Sequence, residues 1–232
     1  MRARPMFDWV IFDCDGVLVD SEAITNRVFA RMLNELGVEV TLPDLFEQFV
    51  GRTLTQCLQQ ARHWLGRDLP PDFAEDYRRR SRAALAAETR AMPGVEAALD
   101  AIGEHCAVAS NGSHAKMRIT LGRAGLLARF EGRLFSADEV AHGKPAPDVY
   151  LHAARALGAA PAACAVVEDS PTGVAAGAAA GMTVFGYAAH LPAHALHDAG
   201  AACVFDDMAQ LPPLLRSAAW PGRHPLLPDS PA

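Results

Sequence analysis

Six short apolar or β-branched runs recur along the chain and constrain its fold more than any other feature. They lie at residues 9–13, 106–110, 133–137, 163–169, 182–187 and 202–205. From Cys106 onward, helical patterns fill the intervals between these runs. Because strands that alternate with helices are joined by crossover connections, the pattern predicts an α/β fold with a doubly wound, Rossmann-like sheet of mostly parallel strands.

One long interval breaks this alternation. Between Asp20 and Met92 there is no convincing strand, and helical patterns occupy residues 22–36, 42–49, 54–65 and 72–89. Gly37 and Gly66 stand where helices are expected to end. The interval therefore predicts an all-helical cap domain, residues 21–90, inserted into an α/β core that consists of residues 1–20 and 91–232.

The charge balance limits the partners that such a chain can bind. Lys and Arg number 21 against 27 Asp and Glu, a net charge of −6, so no basic surface for nucleic acid or an anionic membrane is expected. The five cysteines have no C-x-x-C spacing, which indicates reduced thiols in the cytoplasm. We expect a small-molecule partner and a monomer or weak homodimer.

Acidic residues follow two of the predicted strands. Asp13 and Asp15 come directly after the first apolar run, and Glu168 and Asp169 end the fourth. Because ligands collect at the carboxyl ends of parallel strands, we expect these carboxylates to converge. A metal or a cationic side chain could compensate their charge, or the carboxylates could simply be exposed to solvent. Three of them, Asp13, Glu168 and Asp169, are candidate ligands for Mg²⁺, which prefers oxygen.

Other polar groups follow the remaining strand ends. Ser110 can donate a hydroxyl, the backbone N–H groups of Asn111 and Gly112 can bind an anion at the start of a helix, and Lys144 supplies a fixed positive charge. A metal, an ammonium group and N–H donors around a free carboxylate suit phosphoryl transfer.

Each group also has a purely structural interpretation. The two aspartates could be an exposed cluster at a turn, and Lys144 a solvated loop residue. The segment Ser110–Ser113 could be only a turn and N-cap, and Glu168–Asp169 only the polar end of a strand with Ser170 as the next N-cap. The hypothesis of a site therefore depends on all four groups occurring together.

Together these motifs resemble the haloacid dehalogenase superfamily, specifically its phosphatases and phosphomutases with a small helical cap. The motif D-x-D-G-[VT] appears as Asp13 to Val17, and the hydroxyl residue as Ser110. Lys144 precedes a proline, and the acidic pair Glu168-Asp169 is followed by Ser170 and Gly173. The motifs occur in the superfamily's order, and the resemblance covers nearly the whole chain.

The resemblance implies a role for each matching position. Asp13 would attack phosphorus and form an aspartyl-phosphate. Asp15 would protonate the leaving oxygen, then activate water, and its backbone carbonyl would bind the metal. Four residues would hold the transferring phosphoryl group, namely Ser110, Asn111, Gly112 and Lys144. Glu168 and Asp169 would bind Mg²⁺ together with Asp13.

The predicted cap contributes one candidate site residue. Arg52 lies just before a predicted helix, and family members often place an arginine there that grips the distal part of the substrate; an ordinary surface arginine is the alternative. Residues 77–80, Tyr-Arg-Arg-Arg, are predicted to be a solvated helix face. We expect the cap to move as a unit on hinges near residues 19–21 and 91–94.

These features predict a Mg²⁺-dependent phosphatase that acts on a small phosphomonoester. The combination of "SNG" and "KM" at 110–117 with "LFS" at 134–136 is similar to bacterial 6-phosphogluconate phosphatases, which implies a sugar or sugar-acid phosphate. A phosphoglycolate-type phosphatase, a β-phosphoglucomutase-like mutase and a binding module remain alternatives. The β-phosphoglucomutases that this chain resembles carry a histidine ten residues after the acid/base aspartate, and here that position is Thr25. Because a threonine cannot titrate near neutral pH as an imidazole does, this residue favours hydrolysis.

Overall fold

The computed structural model describes residues 7–49 and 54–217, with the side chains of residues 46–49 excepted. Its centre is a six-stranded sheet, and every pair of neighbouring strands is parallel. The strand order is β3-β2-β1-β4-β5-β6, a doubly wound arrangement that reverses direction at β1. The strands are β1 Trp9–Phe12, β2 Cys106–Ser110, β3 Leu134–Ser136, β4 Cys164–Glu168, β5 Thr183–Tyr187 and β6 Cys203–Phe205.

The predicted fold class is confirmed, and the six predicted strands match these six to within one residue at each end. Successive side chains of a strand point to opposite faces of the sheet. In β1, Val10 and Phe12 therefore belong to one hydrophobic cluster, and Ile11 belongs to another on the opposite face. Both faces are buried, which explains why the strands read as continuous apolar runs rather than as alternating ones.

Helices cover both faces of the sheet. Residues of α5 Val95–Ile102, α6 His114–Arg123 and α10 Leu211–Leu215 pack in the cluster around Phe12. On the other face, residues of α7 Asp148–Ala156, α8 Pro171–Ala179 and α9 Ala193–Asp198 pack around Ile11. Burial on both faces holds the carboxyl ends of the central strands in fixed positions relative to one another.

Four helices separate β1 from α5: α1 Glu22–Glu35, α2 Leu42–Phe49, α3 Leu54–Leu65 and α4 Phe73–Glu88. They share a hydrophobic cluster of their own, in which Phe29, Leu33 and Phe73 are buried. This arrangement is consistent with an inserted helical cap, and the boundaries at residues 21 and 90 stay a prediction. Arg52 lies outside the described residues.

Two chain segments connect these helices to the sheet, and they pair with each other. The N–H of Asp20 donates to the Arg90 carbonyl at 3.0 Å, and the N–H of Met92 donates to the Leu18 carbonyl at 3.0 Å. Val19 between them bridges Ala91 in antiparallel fashion. The two predicted hinges thus lie side by side in one short ribbon. Among the described helices, none is long and apolar enough to span a bilayer.

Candidate active site

The site lies at the carboxyl ends of three neighbouring strands. β1 has β2 on one side and β4 on the other, with Phe12 level with Val108 and Val167. The residues that follow Phe12 therefore emerge between the ends of the two flanking strands. This places Asp13 near Glu168 and Asp169, although more than 150 positions separate them in the chain.

Lys144 ties the acidic groups together. Its Nζ donates to Asp13 Oδ1 at 2.6 Å, to Glu168 Oε1 at 2.7 Å and to the Ala109 carbonyl at 2.8 Å. An ammonium has three N–H donors, so this geometry uses all of them. Burial alone would lower the pKa of Lys144, but Asp13 and Glu168 outweigh burial and hold the pKa well above its ordinary value. Lys144 is therefore a buried cation and not a solvated loop residue.

Tyr150, which the sequence did not single out, completes this network. Its hydroxyl donates to Glu168 Oε1 at 2.8 Å, and its ring lies under the Lys144 ammonium with 4.6 Å from Nζ to the ring centroid. The side chain is fully buried on α7. In the sequence, a tyrosine on the buried face of a helix carries no signal that separates it from an ordinary core residue.

The other oxygen of Glu168 is held at the start of α8. Oε2 accepts hydrogen bonds from the Asp169 N–H at 3.1 Å, the Ser170 N–H at 3.2 Å and the Ser170 hydroxyl at 3.0 Å. Ser170 also caps α8, because its Oγ accepts from the Gly173 N–H at 3.1 Å. A Cβ at Gly173 would collide with the Glu168 carboxylate, so this position requires glycine.

A second glycine is required next to another carboxylate of the acidic group. Gly16 has φ +77°, and a Cβ there would collide with Asp169 Oδ2. The glycine of the D-x-D-G motif therefore serves two needs, a left-handed turn and a close approach of the backbone to a carboxylate.

Asp13, Glu168 and Asp169 form a cluster that fits a hard cation. Their carboxylates each offer an oxygen within 4.8 Å of the others, and all three residues are buried. Burial, with the charges of Glu168 and Asp15, raises the pKa of Asp13 to about 7 in spite of Lys144. Burial and the neighbouring carboxylates Glu168 and Asp13 raise the pKa of Asp169 well above its usual value. One lysine does not balance three buried carboxylates, and a divalent cation would.

Asp15 lies beside this cluster with partners of its own. Its Oδ1 accepts from the Ser21 hydroxyl at 2.5 Å, and its Oδ2 accepts from Lys116 Nζ at 2.7 Å. Burial alone would raise the pKa of Asp15, but the Lys116 charge and both hydrogen bonds outweigh it and lower the pKa. The Asp15 side chain is not part of the cluster formed by Asp13, Glu168 and Asp169. A contact between the backbone carbonyl of Asp15 and a metal ion stays a prediction.

Lys116 was not among the predicted site residues. In the sequence it enters only through the "KM" pair of the resemblance, and Thr25 stands where the similar mutases have a histidine. Instead, the Thr25 hydroxyl bonds the backbone carbonyls of Ser21 and Glu22, both at 3.2 Å, and the hydroxyl next to Asp15 belongs to Ser21.

The segment after β2 has both a structural and a site-facing role. Asn111 holds the Lys144 backbone, accepting from its N–H at 2.8 Å and donating to its carbonyl at 3.2 Å. Ser110 is buried, and its Oγ accepts from the Gly112 N–H at 3.0 Å. Ser113 caps α6 by accepting from the Lys116 N–H at 3.3 Å. The N-cap predicted in this segment is therefore present. Contact of Ser110, Asn111 and Gly112 with a phosphoryl group stays a prediction.

Glu22 is a further acidic residue at the edge of the cluster. It is the first residue of α1, and its charge acts on both Asp169 and Asp15. Its Oε2 is buried with no hydrogen-bond partner among the described residues, and burial raises its pKa. No sequence pattern distinguishes Glu22 from an ordinary acidic residue in the first turn of a helix.

The chain belongs to the haloacid dehalogenase-like hydrolase family. The model described as "Hydrolase: haloacid dehalogenase-like hydrolase" matches residues 7–181. This match spans β1 to the end of α8, and so includes every element from which the acidic cluster and Lys144 come. The predictions of family and of enzyme class, a phosphoric monoester hydrolase, are confirmed.

Particular relatives share this architecture. The chain is 34% identical over 212 residues to 6-phosphogluconate phosphatase of Escherichia coli (strain K12), covering 91% of this chain and 96% of that protein. It is 34% identical over 180 residues to hexitol phosphatase A of the same organism, covering 75% and 80%. A HAD family hydrolase from Deinococcus radiodurans R1, solved with bound phosphate and sodium, is 35% identical with a TM-score of 0.78, covering 90% and 94%.

Proposed function

We propose that the chain is a Mg²⁺-dependent phosphatase that hydrolyses a small sugar-acid or sugar phosphate through a phosphorylated Asp13. The observation that carries the proposal is the contact of Lys144 with both Asp13 Oδ1 and Glu168 Oε1. This contact fixes the Asp13 carboxylate with one oxygen engaged. Oδ2, which has no hydrogen bond with the described residues, is left as the nucleophile.

In the first step, Asp13 Oδ2 forms a bond to phosphorus while the bond from phosphorus to the ester oxygen breaks. Asp15, two residues further along, gives its proton to the departing alkoxide oxygen. Ser110 and the backbone N–H groups that follow it provide donors for the phosphoryl oxygens. Lys144 keeps Asp13 oriented and offsets the negative charge that accumulates around it.

In the second step, Asp15 removes a proton from water, and the water oxygen bonds to phosphorus as the bond to Asp13 Oδ2 breaks. Inorganic phosphate leaves, and Asp13 returns to its free carboxylate. When bound by Asp13, Glu168 and Asp169, Mg²⁺ would supply positive charge that allows a phosphate dianion to approach these carboxylates. The raised pKa values of Asp13 and Asp169 indicate how strongly this cluster favours added positive charge.

The substrate class rests on two supports. The relative at 34% identity that matches over 91% of this chain is a 6-phosphogluconate phosphatase, and a second relative acts on hexitol phosphates by its name. Thr25 supports hydrolysis over mutase chemistry, because its hydroxyl is bonded to the α1 backbone and does not reach Asp15.

The test is a phosphate-release assay on purified protein. The esters are 6-phosphogluconate, glucitol 6-phosphate, phosphoglycolate, β-glucose 1-phosphate and p-nitrophenyl phosphate, each with Mg²⁺ and with a chelator. We expect release from a sugar-acid or sugar phosphate with Mg²⁺, none with chelator, and none from Asp13→Asn. Formation of glucose 6-phosphate from β-glucose 1-phosphate in excess of free phosphate would instead assign a mutase.

A further inference from the structure

A groove lies between α1, α4 and α6, directly beside the acid/base group. Its volume is ≈ 240 Å³, and its lining includes Tyr77, Arg78, Ser81, Arg82 and Lys116. Lys116 also donates to Asp15 Oδ2 at 2.7 Å, so one residue both lines the groove and contacts the group proposed to protonate the leaving oxygen. The alcohol part of a bound ester has to extend from that point.

The lining of this groove is cationic. Lys116, Arg78 and Arg82 all contribute to it, and none of its described lining residues is acidic. By contrast, Arg79 and Arg80, on the same helix, form ion pairs with Asp76. Within the described part of the chain, Arg78 and Arg82 have no such carboxylate partner, and they lie one helical turn apart on α4.

Lys116 has donors to spare. Asp15 accepts one hydrogen bond from its Nζ, and the lysine side chain is 36% exposed. An ammonium has three N–H donors, and only this acceptor is present among the described residues. A second anion can therefore bind Lys116 without displacing Asp15.

A buried hydroxyl gives an independent indication that the groove takes a polar ligand. Ser81 is 7% exposed and lines the groove, and its Oγ completes no hydrogen bond of normal geometry although the Tyr77 hydroxyl is close by. A buried hydroxyl whose hydrogen bonding is incomplete can bind a hydroxyl or carboxylate of a ligand, because that contact supplies the missing partner. Tyr77 itself is half-buried against Phe29, so the prediction of a solvated face at residues 77–80 is wrong for this residue.

We propose that this groove is the leaving-group subsite and that Arg78, Arg82 and Lys116 select esters whose alcohol carries a second anionic group, a carboxylate or a further phosphate. The inference rests on the proposed phosphatase function and narrows its substrate class. Sugar-acid phosphates and sugar bisphosphates share the chemistry that the groove recognises. Neutral hexitol and hexose monophosphates lack it.

The experiment compares two pairs of esters that differ in one charge. 6-Phosphogluconate is paired with glucitol 6-phosphate, which replaces the carboxylate by CH₂OH, and glucose 1,6-bisphosphate is paired with glucose 6-phosphate. For one pair or both, we expect kcat/KM to be at least about tenfold higher for the more anionic member, since a charge-assisted hydrogen bond contributes about 1.5–3 kcal/mol. The pair that shows the preference identifies carboxylate or phosphate as the recognised group.

The double variant Arg78→Gln/Arg82→Gln tests the residues. Its ratio of kcat/KM within the preferred pair should fall about tenfold or more, mainly through a higher KM for the anionic ester. The matched control is Arg79→Gln, which removes an arginine of the same helix that is paired with Asp76 and does not line the groove. The control should keep the wild-type ratio.

Failure of this inference can be told from failure of the proposed function. If the wild type hydrolyses p-nitrophenyl phosphate and neutral esters with equal or better efficiency than their anionic counterparts, the subsite is refuted and the phosphatase stands. If the double variant keeps the wild-type ratio, the arginines are excluded. If no ester releases phosphate with Mg²⁺, the proposed function and this inference both fall.

Discussion

Lys116 Nζ donates to Asp15 Oδ2 at 2.7 Å, although 101 positions separate the two residues. Lys116 is on α6, which follows β2, and Asp15 follows β1, the neighbouring strand. The pair therefore joins the candidate acid/base group to a helix of the core that also borders the groove. We expect Lys116 to position Asp15, so its removal should change the pH dependence of turnover.

Lys116→Gln is expected to move the alkaline limb of the kcat/KM profile for 6-phosphogluconate to higher pH. Lys116 lowers the pKa of Asp15, and Asp15 must hold a proton to protonate an alkoxide, so loss of the ammonium extends the protonated range upward. p-Nitrophenyl phosphate should show a smaller shift, because its leaving group needs less protonation. Lys116→Arg, which keeps the charge, is the control. Superimposable profiles for all three proteins would contradict this role.

Tyr150→Phe is expected to weaken metal binding more than substrate binding. The variant deletes only the hydroxyl that donates to Glu168 Oε1 and keeps the ring under Lys144. Groups that orient a metal ligand typically contribute about 10–100-fold to metal affinity. The measurement is the Mg²⁺ concentration for half-maximal activity, with KM for substrate determined at saturating metal.

Tyr187→Phe is the matched control for Tyr150→Phe. Tyr187 is also a buried tyrosine of the core, and its ring stacks on Phe205. Within the described part of the chain, the tyrosine hydroxyl that donates to Glu168 is that of Tyr150 and not that of Tyr187. The Tyr187→Phe variant should leave the Mg²⁺ requirement unchanged. An unaltered Mg²⁺ requirement in Tyr150→Phe would show that the hydroxyl only fills space.

Gly173→Ala is expected to impair both stability and metal binding. The new methyl group would meet the Glu168 carboxylate, which is held by the backbone N–H groups at the start of α8. Gly122→Ala, also within a helix, meets only Leu127 Cδ2 at 3.8 Å and should be neutral or stabilising by up to about 1 kcal/mol. Thermal unfolding with and without Mg²⁺ compares them. Equal melting temperatures and Mg²⁺ shifts in the two variants would disprove the packing argument.

The sequence was sufficient for the part of the site that lies at strand ends. Asp13, Glu168 and Asp169 follow apolar runs directly, and parallel pairing brings such positions to one edge of a sheet whatever the helices do. Lys144 was identified by its motif, and its buried position between Asp13 and Glu168 agrees with that.

The remaining contacts depend on tertiary packing that no local pattern encodes. Lys116 and Tyr150 lie on helices, where their direction depends on how α6 and α7 rotate against the sheet. Glu22 and Ser81 reach the site only because α1 and α4 pack over the core. Residues 77–80 show how packing departs from a local pattern. Their composition predicts one solvated face, whereas successive residues of a helix point in different directions around its axis.

The last prediction concerns how pH and Mg²⁺ together set stability. The pKa of Asp13 is 3.8 in an unfolded chain and about 7 in the metal-free fold, mainly because of burial. Between these values the folded state holds a proton that the unfolded state releases, so the free energy of unfolding falls as pH rises, by up to about 1.4 kcal/mol per pH unit, and levels off above 7. The raised pKa of Asp169 acts in the same direction.

Mg²⁺ should reverse this loss, because its carboxylate ligands must be deprotonated and the cation competes with protons below pH 7. The melting-temperature increase caused by Mg²⁺ is therefore expected to be larger at pH 8 than at pH 5.5. Asp13→Asn cannot titrate, so without metal it should gain stability relative to the wild type as pH rises from 5 to 8. Chemical unfolding of both proteins across this range, at constant ionic strength, measures the difference. A difference that stays constant or shrinks with pH would show that the Asp13 carboxylate is not destabilised by burial, and it would remove the electrostatic basis for placing a cation there.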